Sequence, residues 1–397
     1  MKILIVTEVF YPENFLINDF AAEMVQRGHH VEVMTRQPSY PEGKVYPGYT
    51  NSDYAVEEWK GVTIHRFKTI EGYKSSKIKK VWNYLHYVRA GEKLILQIAK
   101  GMDVILVHQT GPLSLALPAV YARERLHIPA VVWTFDIWPD AVYMYGFPKL
   151  PPITWLVDWI IKRVYRHVDH VLVSSRMFAD TIRRYAREQG IDYAPNWLIK
   201  SDEAQSGLRL PTQCFNFTFT GNISAAQNLE RVIRGFVEAK IPNAVLNIVG
   251  DGSTKDAHQA LVKELHAEEY VLFHGRWPYA EMQDILRQSD VLVLPLVSKA
   301  GIDKTEPFKI QSYLKAGKPI FGVLNGAGRE IIEENKLGYC AHPDQIHDIA
   351  QGFKRMMTIS EEEKEVIRKQ SIHLMASRFN REEIISQVEN CLRMLAD

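Results

Sequence analysis

The sequence predicts an α/β protein made of two Rossmann-like, doubly wound parallel-sheet domains. Short apolar runs of strand length alternate with helix-length segments, which is typical of βαβ units. The alternation stops in a polar stretch at about residues 198–213 and then begins again. A chain of 397 residues is also longer than one ordinary core holds. We therefore expect one domain over residues 1–198, a second over residues 199–380, and a separate tail at residues 381–397.

The first domain is expected to contain mainly parallel strands. Buried parallel strands are near-continuous apolar runs, and such runs lie at residues 3–6, 31–34, 64–67, 103–107, 130–134 and 170–174. The first helix, near residues 18–27, should end at Gly28, because glycine adopts the left-handed backbone of a helix C-terminus without steric cost.

The second domain repeats this pattern. Apolar runs predict strands at residues 215–220, 245–249, 271–274, 291–294 and 318–322. A helix between the last two strands opens near residue 305 and should stop at Gly317. From about residue 361 onward the pattern predicts two helices and no strand.

Composition argues against several classes of protein. The apolar content of 46% and charged content of 24% are those of a soluble globular protein, and a net charge of +1 is too small to indicate a nucleic-acid partner. Cys214, Cys340 and Cys391 fit neither metal nor disulfide spacing, which favours a cytoplasmic location. No segment approaches the ~20 apolar residues that span a bilayer. The turn at residues 10–14 lacks glycine, which argues against an NAD or FAD oxidoreductase.

The loop that opens the helix ending at Gly317 is the first candidate site. Open α/β sheets bind ligands at the carboxyl ends of their strands, and a helix N-terminus attracts anions there because its first N–H groups are unpaired. Glu306 and Lys309 add a carboxylate and an ammonium. We therefore predict a ligand with hydroxyl and phosphate groups; the alternative is an ordinary helix cap with a surface lysine.

Glycine-containing loops follow three other strands of the second domain, at residues 221–228, 250–252 and 275–278. Small residues at such loops let backbone N–H groups approach a phosphate. One such loop does not establish a site, but all of them should lie on the same edge of the sheet.

Two ionisable residues follow neighbouring strands of the first domain. His108 comes after the run at residues 103–107, and Asp136 comes after the run at residues 130–134. Both should lie at the mouth of one sheet, as a functional site requires, although either one could be a buried structural group. The long polar loop at residues 39–49 is a further candidate, because function often lies in such loops.

Two helices, at residues 77–96 and 152–167, combine basic and aromatic side chains. This combination is typical of helices that lie on a membrane surface. The alternative is a pair of core-packed helices with solvated basic ends.

Several motifs, taken in order, resemble bacterial family 4 glycosyltransferases, in particular the subgroup that builds O-antigen, capsule or exopolysaccharide and includes fucosamine-type transferases. The motifs are YPEN at residues 11–14, GHHV at 28–31, PSYPEG at 38–43, DIWPD at 136–140, PNW at 195–197, GNISAAQ at 221–227 and AGKP at 316–319. The resemblance covers nearly the whole chain.

This resemblance implies a GT-B fold, in which two Rossmann-like domains face each other across a cleft. The first domain would bind the acceptor, the second would bind the nucleotide-sugar, and the final helix at residues 381–397 would cross back to the first domain. The implied reaction is a retaining transfer, without metal or cofactor, from a UDP- or GDP-sugar to a lipid-linked saccharide of a surface polysaccharide. The enzyme would be cytoplasmic and peripheral on the inner membrane.

The resemblance also implies roles on the donor side. Lys309 would neutralise the departing diphosphate together with the backbone at Gly221 and Asn222, with Lys304 or Arg276 in reserve. The complete donor-side set is Gly221, Asn222, Gln227, Gly250, Asp251, Gly275, Arg276, Trp277 and Ser312.

The chain departs from the family pattern near Lys309. Family members commonly carry two glutamates eight positions apart, where this chain has Lys304 and Ser312. Glu306 could take the first glutamate's catalytic role if the loop is shorter. Ser312 could bond a ribose hydroxyl, more weakly than a carboxylate does.

On the acceptor side the resemblance points to Asn14, Tyr40, Trp138 and Asp140. Asp136 stands where many family members have a histidine. His108 or Asp136 would position the acceptor hydroxyl, and the leaving phosphate would accept its proton.

Two other functions are consistent with the sequence. One is a GT-B epimerase or phosphorylase that acts on a soluble sugar and needs no membrane. The other is a non-catalytic relative that binds a nucleotide-sugar without turning it over.

Overall fold

The computed structural model describes residues 1–73, 76–144, 146–186, 190–200 and 202–396, and of Lys77 it describes the backbone. The chain forms two compact units, each built on one sheet. Unit 1 comprises Met1–Asn196 and Arg381–Asp397, and unit 2 comprises Trp197–Asn380. Both sheets are mainly parallel, and helices alternate with their strands, so the predicted fold class is confirmed.

Unit 1 has an eight-stranded sheet in the order β3-β4-β2-β1-β5-β6-β7-β8. Its strands are β1 (Lys2–Thr7), β2 (His30–Arg36), β3 (Tyr54–Trp59), β4 (Val62–Phe67), β5 (Val104–Gln109), β6 (Ala130–Thr134), β7 (His170–Val173) and β8 (Gly190–Tyr193). The central strands β5 and β6 are buried along their whole length. Burial of both faces explains why they are continuous apolar runs in the sequence.

The edge strand β3 was not predicted. It pairs antiparallel with β4 through a tight turn at Lys60 and Gly61, whose φ angles of 49° and 77° are both left-handed, as in two-residue β-hairpins. Its residues alternate between exposed and partly buried. The strand therefore lacks the apolar run on which the other strand predictions rest, and the same holds for β8 at the opposite edge.

The helices of unit 1 include both predicted basic aromatic segments. They are α1 (Leu16–Gln26), α2 (Lys77–Ile98), α3 (Leu117–Leu126), α4 (Asp140–Met144), α5 (Pro151–Tyr165), α6 (Arg176–Arg183) and α15 (Arg381–Ala396). Gly28, with a φ of +84°, follows α1 as predicted.

Charge pairs attach α15 to α1. The Arg381 guanidinium donates to both carboxylate oxygens of Asp19, at 2.8 and 3.0 Å, and to Glu23 at 2.9 Å. Arg27 donates to Glu389 at 2.8 Å. Bidentate pairs of this kind fix orientation as well as distance, so the last helix is an integral part of unit 1.

Unit 2 has a six-stranded, wholly parallel sheet in the order β11-β10-β9-β12-β13-β14. Its strands are β9 (Phe215–Thr220), β10 (Ala244–Val249), β11 (Val271–Gly275), β12 (Val291–Pro295), β13 (Ile320–Val323) and β14 (Gly338–Ala341). Its helices are α7 (Leu229–Ala239), α8 (Lys255–Glu264), α9 (Met282–Arg287), α10 (Ala300–Asp303), α11 (Lys309–Ala316), α12 (Gly326–Glu334), α13 (Ile346–Met357) and α14 (Glu361–Ala376). Among the strands of unit 2, only the short edge strand β14 was not predicted.

Strand order reverses once in each sheet, between β1 and β5 in unit 1 and between β9 and β12 in unit 2. The chain leaves the two neighbouring strands toward opposite faces of the sheet. This opens a crevice at the carboxyl ends of these strands. Open α/β sheets bind their ligands at such switch points, so the residues that follow these strands are where each unit should hold its site.

Candidate active site

Three glycines of unit 2 form a close-packed glycine cluster, consisting of Gly221, Gly250 and Gly252. A Cβ atom on Gly250 would lie 1.9 Å from the Gly221 carbonyl oxygen, and one on Gly252 would lie 2.2 Å from the Ile223 carbonyl oxygen. Gly221 and Gly250 also have φ angles of +129° and +150°. Only glycine tolerates these contacts and angles. The close approach of the loops after β9 and β10 therefore requires glycine at these positions.

Lys309, the first residue of α11, lies against this cluster. Its Cε is 2.7 Å from where a Cβ on Gly221 would be. Its ammonium donates a hydrogen bond to Gln227 Oε1 and lies 4.0 Å from the centroid of the Phe219 ring. Burial lowers the pKa of this ammonium to about 7. Among the described residues no carboxylate pairs with it, so an incoming anion would supply its counter-charge.

Around the glycine cluster, fewer backbone N–H groups are available to a ligand than the sequence suggested. The Gly221 N–H donates to the Val249 carbonyl at 2.9 Å, and the Gly250 N–H donates to the Gly275 carbonyl at 2.8 Å. Both groups hold the loops in place. The next N–H, that of the exposed Asn222, has no hydrogen-bond partner among the described residues. Of these three N–H groups, that of Asn222 is therefore the one that a ligand could use.

The loop after β11 forms a second wall of the candidate site. Trp277 is partly buried; its indole N–H donates to the His274 carbonyl at 3.0 Å, and its ring lies 3.4 Å from where a Cβ on Gly207 would be. Arg276 is exposed. Asp251, two residues after the end of β10, accepts from the Gly252 N–H at 2.9 Å.

Glu306 has a partner that the sequence did not reveal. It is 3% exposed, and its carboxylate accepts a hydrogen bond from the Arg378 guanidinium at 2.9 Å. A buried carboxylate requires such a partner because desolvation destabilises the bare charge. Ser312 is partly buried, and its carbonyl accepts from Gln283 at 3.3 Å.

The switch point of unit 1 holds a carboxylate pair, formed by Glu8 after β1 and Asp136 after β6. Burial, together with the nearby charge of Glu8, raises the pKa of Asp136 to about 7, against the opposing charge of Lys80. The Glu8 carboxylate fills the space beside Gly111 and lies 3.7 Å from the buried Arg36 guanidinium. A carboxyl group with this pKa is partly protonated near neutral pH.

His108 lies within β5, one residue before its end, and not after the strand. It is 2% exposed, its Nδ1 is 3.2 Å from Thr7 Oγ1, and its ring meets that of Phe135 at 4.8 Å, edge to face. Burial lowers its pKa to about 3. The ring is therefore neutral at physiological pH.

Glu13 connects the two N-terminal motifs that contain Asn14 and Tyr40. Its buried carboxylate accepts hydrogen bonds from the N–H groups of Ser39 and Tyr40, at 2.8 and 2.6 Å, and from the Phe10 N–H at 3.2 Å. Asn14 itself is exposed, and 47% of Tyr40 is exposed. Glu13 thus holds the loop after β1 against the loop after β2.

Sequence reasoning did not single out Glu8, Arg36 or Glu13 as site residues. Glu8 follows β1 directly and Arg36 ends β2. The rule that pointed to Asp136, a polar residue at the carboxyl end of a strand, would have found both. Glu13 carried no such signal, because two of its three partners, Ser39 and Tyr40, lie 26 and 27 residues away in the sequence.

The two remaining acceptor-side candidates lie beside the carboxylate pair in sequence. Trp138 is 9% exposed and lines a cavity between α2 and α5. Asp140 is the first residue of α4.

Neither a membrane span nor a metal-ligand cluster occurs in the part of the chain that the structure describes. No described helix combines the length and apolar character needed to cross a bilayer. No group of three or more His, Cys, Asp or Glu residues is placed to hold a metal ion within the same ranges.

Two family models match this chain almost end to end. The model described as "Glycosyl transferase 4-like domain" matches residues 16–197, and that described as "Glycosyl transferases group 1" matches residues 201–372. The chain belongs to the family 4 glycosyltransferases. The boundary between the two models falls where the two units of this transferase meet in sequence.

Named relatives span nearly the whole transferase. The "Putative colanic acid biosynthesis glycosyl transferase WcaI" of Escherichia coli (strain K12) is 24% identical over 389 residues, which are 90% of this chain and 93% of WcaI. The "N-acetyl-alpha-D-glucosaminyl L-malate synthase" of Bacillus anthracis is 26% identical over 387 residues, which are 94% of this chain and 91% of that protein.

A solved structure supports the fold. Anabaena Alr3699/HepE, crystallised in complex with UDP, matches with a TM-score of 0.71 and 14% sequence identity, over 99% of this chain and 100% of that one. The transferase therefore has the GT-B fold, with two Rossmann-like domains, as the resemblance implied.

Proposed function

We propose that this transferase moves a sugar from a UDP-sugar to a lipid-linked saccharide in the synthesis of a surface polysaccharide, with retention of anomeric configuration and without a metal. UDP is favoured over GDP because HepE was crystallised with UDP. A polysaccharide acceptor is favoured because WcaI is named for colanic acid biosynthesis.

The observation that carries the proposal is the position of Lys309 against the glycine cluster. Charge develops on the diphosphate as the sugar departs, and a preorganised cation with N–H donors stabilises that charge. Lys309 supplies the cation, the Asn222 N–H supplies a donor, and the N-terminus of α11 adds its dipole. Gln227 accepts a hydrogen bond from the Lys309 ammonium. A phosphate oxygen of the bound donor would replace Gln227 as the acceptor.

The remaining donor-side residues shape the nucleotide pocket. Gly250, Asp251 and Gly275 form its floor, and the loop with Arg276 and Trp277 contacts the base through its backbone. Ser312 bonds a ribose hydroxyl. Lys304 provides additional positive charge near the phosphates.

The carboxylate pair positions the acceptor. Asp136 accepts a hydrogen bond from the acceptor hydroxyl, and the leaving phosphate takes the proton as the new bond forms. Because His108 is buried and neutral, its role is to support the loop of Asp136. Asn14, Tyr40 and Asp140 contact more distant parts of the acceptor.

Helices α2 and α5 would place unit 1 on the anionic inner leaflet. Trp82 and Trp155 are 56% and 71% exposed, which is unusual for large aromatic side chains, and α2 begins with three lysines in four residues. Basic helices with exposed aromatic residues bind membrane interfaces. Flotation with anionic vesicles should carry the protein upward, and neutral vesicles should leave it behind.

The direct test is a donor and acceptor panel. Purified protein should release UDP from one UDP-sugar in the presence of a lipid-linked saccharide, with EDTA present, and NMR of the product should show the donor's anomeric configuration. A folded protein that releases no nucleotide across the panel would contradict the proposal.

A soluble acceptor is the second candidate. The Bacillus anthracis relative is named for a product that joins N-acetylglucosamine to L-malate, which is a soluble acid. Turnover with small hydroxy acids, in the absence of any lipid acceptor, would favour this alternative. Binding of UDP-sugar without turnover on either acceptor class would instead indicate a non-catalytic relative.

A further inference from the structure

A pocket lies at the outer edge of unit 1, beside strands β3 and β4, and is called the edge pocket below. Its walls come from Gln37 after β2, the loop at residues 48–52, strand β3 and Arg66 of β4. Its volume is about 480 Å³, within the range of roughly 300–1,000 Å³ that is typical of small-ligand pockets. None of the residues with a role in the proposed function is among the described residues that line it.

The walls of the edge pocket present groups that recognise hydroxyls. Thr50 and Ser52 contribute hydroxyls, and Gln37 contributes an amide whose N–H donates to Ser52 Oγ at 3.1 Å. Glu57 contributes a carboxylate that accepts from Arg66 Nε at 2.7 Å. Hydroxyl and amide side chains both donate and accept hydrogen bonds. Such walls suit a ligand that carries several hydroxyls at fixed spacing, as a sugar ring does.

The charges in the edge pocket cancel. Of the described residues that line it, only Glu57 and Arg66 are charged, and they form an ion pair. Arg66 is 1% exposed, and its guanidinium also donates to the carbonyls of Arg36 and Tyr11. The Glu57 side chain keeps 33% of its surface exposed. An anionic ligand would therefore meet the carboxylate before the guanidinium, so the pocket favours an uncharged ligand.

Aromatic rings lie in and beside the edge pocket. Tyr49 lines it, with the Arg66 guanidinium 5.5 Å from the ring centroid. Tyr11, whose carbonyl accepts from Arg66, stacks on Trp59 with 4.9 Å between the ring centroids and remains 37% exposed. The electron-rich faces of aromatic rings attract weakly positive C–H groups, which cover the faces of a pyranose ring. Hydroxyl-binding groups with aromatic faces beside them are typical of a saccharide site.

The edge pocket is too far from the carboxylate pair to hold the sugar that reacts there. Arg66 is on β4 and Asp136 follows β6, four strand spacings away in the sheet, which is about 19 Å at about 4.8 Å per spacing. One pyranose ring is shorter than this distance. Arg36, whose carbonyl accepts from Arg66, lies 3.7 Å from Glu8. A saccharide of several units could therefore extend from Asp136 along the carboxyl edge of the sheet to the pocket.

We propose that the edge pocket binds an uncharged sugar unit of the acceptor, several units away from the hydroxyl that reacts at Asp136. The inference rests on the proposed function, because it takes the acceptor to be a saccharide held at Asp136. It adds that the enzyme recognises an oligosaccharide and not a single sugar. The reactions that supply this acceptor are therefore earlier glycosyl transfers to a shorter saccharide.

Binding of small glycosides tests this inference. The probes are the methyl glycosides of glucose, galactose, mannose, rhamnose, fucose, N-acetylglucosamine and N-acetylgalactosamine, with methyl glucuronide as the charged counterpart. Saturation-transfer difference NMR on the full chain should show saturable binding of at least one neutral glycoside. Methyl glucuronide should bind at least about fivefold more weakly, because its carboxylate meets that of Glu57. Hydrogen exchange, read by mass spectrometry, should show that the bound neutral glycoside protects residues 48–57.

Adjacent glutamates of β3 provide a matched pair of variants, because successive side chains of a strand point to opposite faces. Glu57 lines the edge pocket, whereas the exposed Glu58 does not. Glu57→Gln should weaken binding of the neutral glycoside at least about threefold, since a carboxylate accepts stronger hydrogen bonds than an amide does, and should remove the discrimination against methyl glucuronide. Glu58→Gln should leave both affinities within about twofold.

A blocking variant locates the bound sugar. Thr50→Trp, at an exposed residue that lines the pocket, should abolish the protection of residues 48–57, whereas Thr212→Trp, at an exposed threonine of unit 2, and Asp136→Asn should retain it. Three results would overturn the inference: no saturable binding of any neutral glycoside, equal effects of Glu57→Gln and Glu58→Gln, or protection that is lost in Asp136→Asn and kept in Thr50→Trp.

Thermal shift by UDP, measured on the same samples, separates failure of this inference from failure of the proposed function. If UDP raises the melting temperature and no neutral glycoside binds, the inference about the edge pocket alone is wrong. The same measurement shows whether each variant is folded, because only a folded unit 2 gains stability from UDP.

Discussion

Lys309 in unit 2 and Asp136 in unit 1 both lie beyond the carboxyl ends of parallel strands, Lys309 on α11 after β12 and Asp136 two residues after β6. Burial lowers the pKa of Lys309 to about 7, whereas burial and the charge of Glu8 raise the pKa of Asp136 to about 7. The surroundings differ, because uncharged groups lie against Lys309, whereas ionisable side chains lie near Asp136.

This difference indicates which kind of ligand each site should bind. Lys309 has no carboxylate partner among the described residues, so a negatively charged ligand should restore its full charge. Asp136 already has a like-charged neighbour in Glu8, so a second anion would be repelled and a neutral hydroxyl would be accepted. The contrast fits a diphosphate donor in unit 2 and a saccharide acceptor in unit 1.

The largest effect is expected from Lys309→Met. Loss of the main proposed side-chain cation at the diphosphate should reduce kcat about 100- to 1,000-fold, as removal of a single preorganised donor does in other enzymes. The measurement is steady-state release of UDP. Lys315→Met, at the exposed end of the same helix, is the matched control and should retain activity; equal losses in both variants would contradict the account.

Asp136→Asn should reduce kcat about 100-fold, because the acceptor hydroxyl loses the carboxylate that positions it. The substitution should also change how the free energy of unfolding depends on pH. A carboxyl with a raised pKa stabilises the fold at low pH, and that contribution is lost as pH rises through 7. The variant should therefore gain stability relative to wild type between pH 5 and pH 8 in urea titrations. A constant difference across this range would show that Asp136 titrates normally.

Glu306→Gln tests whether the residue acts in catalysis or in structure. Because its buried carboxylate pairs with Arg378, removal of one partner should lower the free energy of unfolding by about 3 kcal/mol. Arg378→Met should cost a similar amount, and kcat per folded molecule should change little in either variant. A large loss of kcat in Glu306→Gln, with stability intact, would restore Glu306 to the catalytic role that the resemblance implied.

Gly221→Ala should act mainly on donor binding rather than on kcat. Its new Cβ would displace the flexible end of Lys309, and we expect about tenfold weaker UDP binding by calorimetry, or about 1.4 kcal/mol. Gly101→Ala controls for backbone strain, since Gly101 has a φ of +80° and open space around it. Unchanged UDP affinity in Gly221→Ala would show that Lys309 does not need its present position.

The sequence predicted the buried parts of the fold more fully than the edges. Strands such as β5 and β6 were found because burial on both faces gives continuous apolar runs. The edge strands β3, β8 and β14 lack that signal. Within the candidate site, Lys309 and Asp136 were found by their positions after strands, whereas the Glu306–Arg378 pair was not, because it joins residues 72 positions apart.

Proton uptake on UDP binding tests the central claim most directly. At pH 8 the Lys309 ammonium, with a pKa of about 7, is mostly neutral, and a bound diphosphate should restore its charge. Calorimetry in buffers of different ionisation enthalpy should therefore show uptake of nearly one proton by the wild-type chain and almost none by Lys309→Met, which should also bind UDP at least about tenfold more weakly. Equal uptake and equal affinity in the two proteins would contradict the assignment of Lys309 as the cation at the diphosphate.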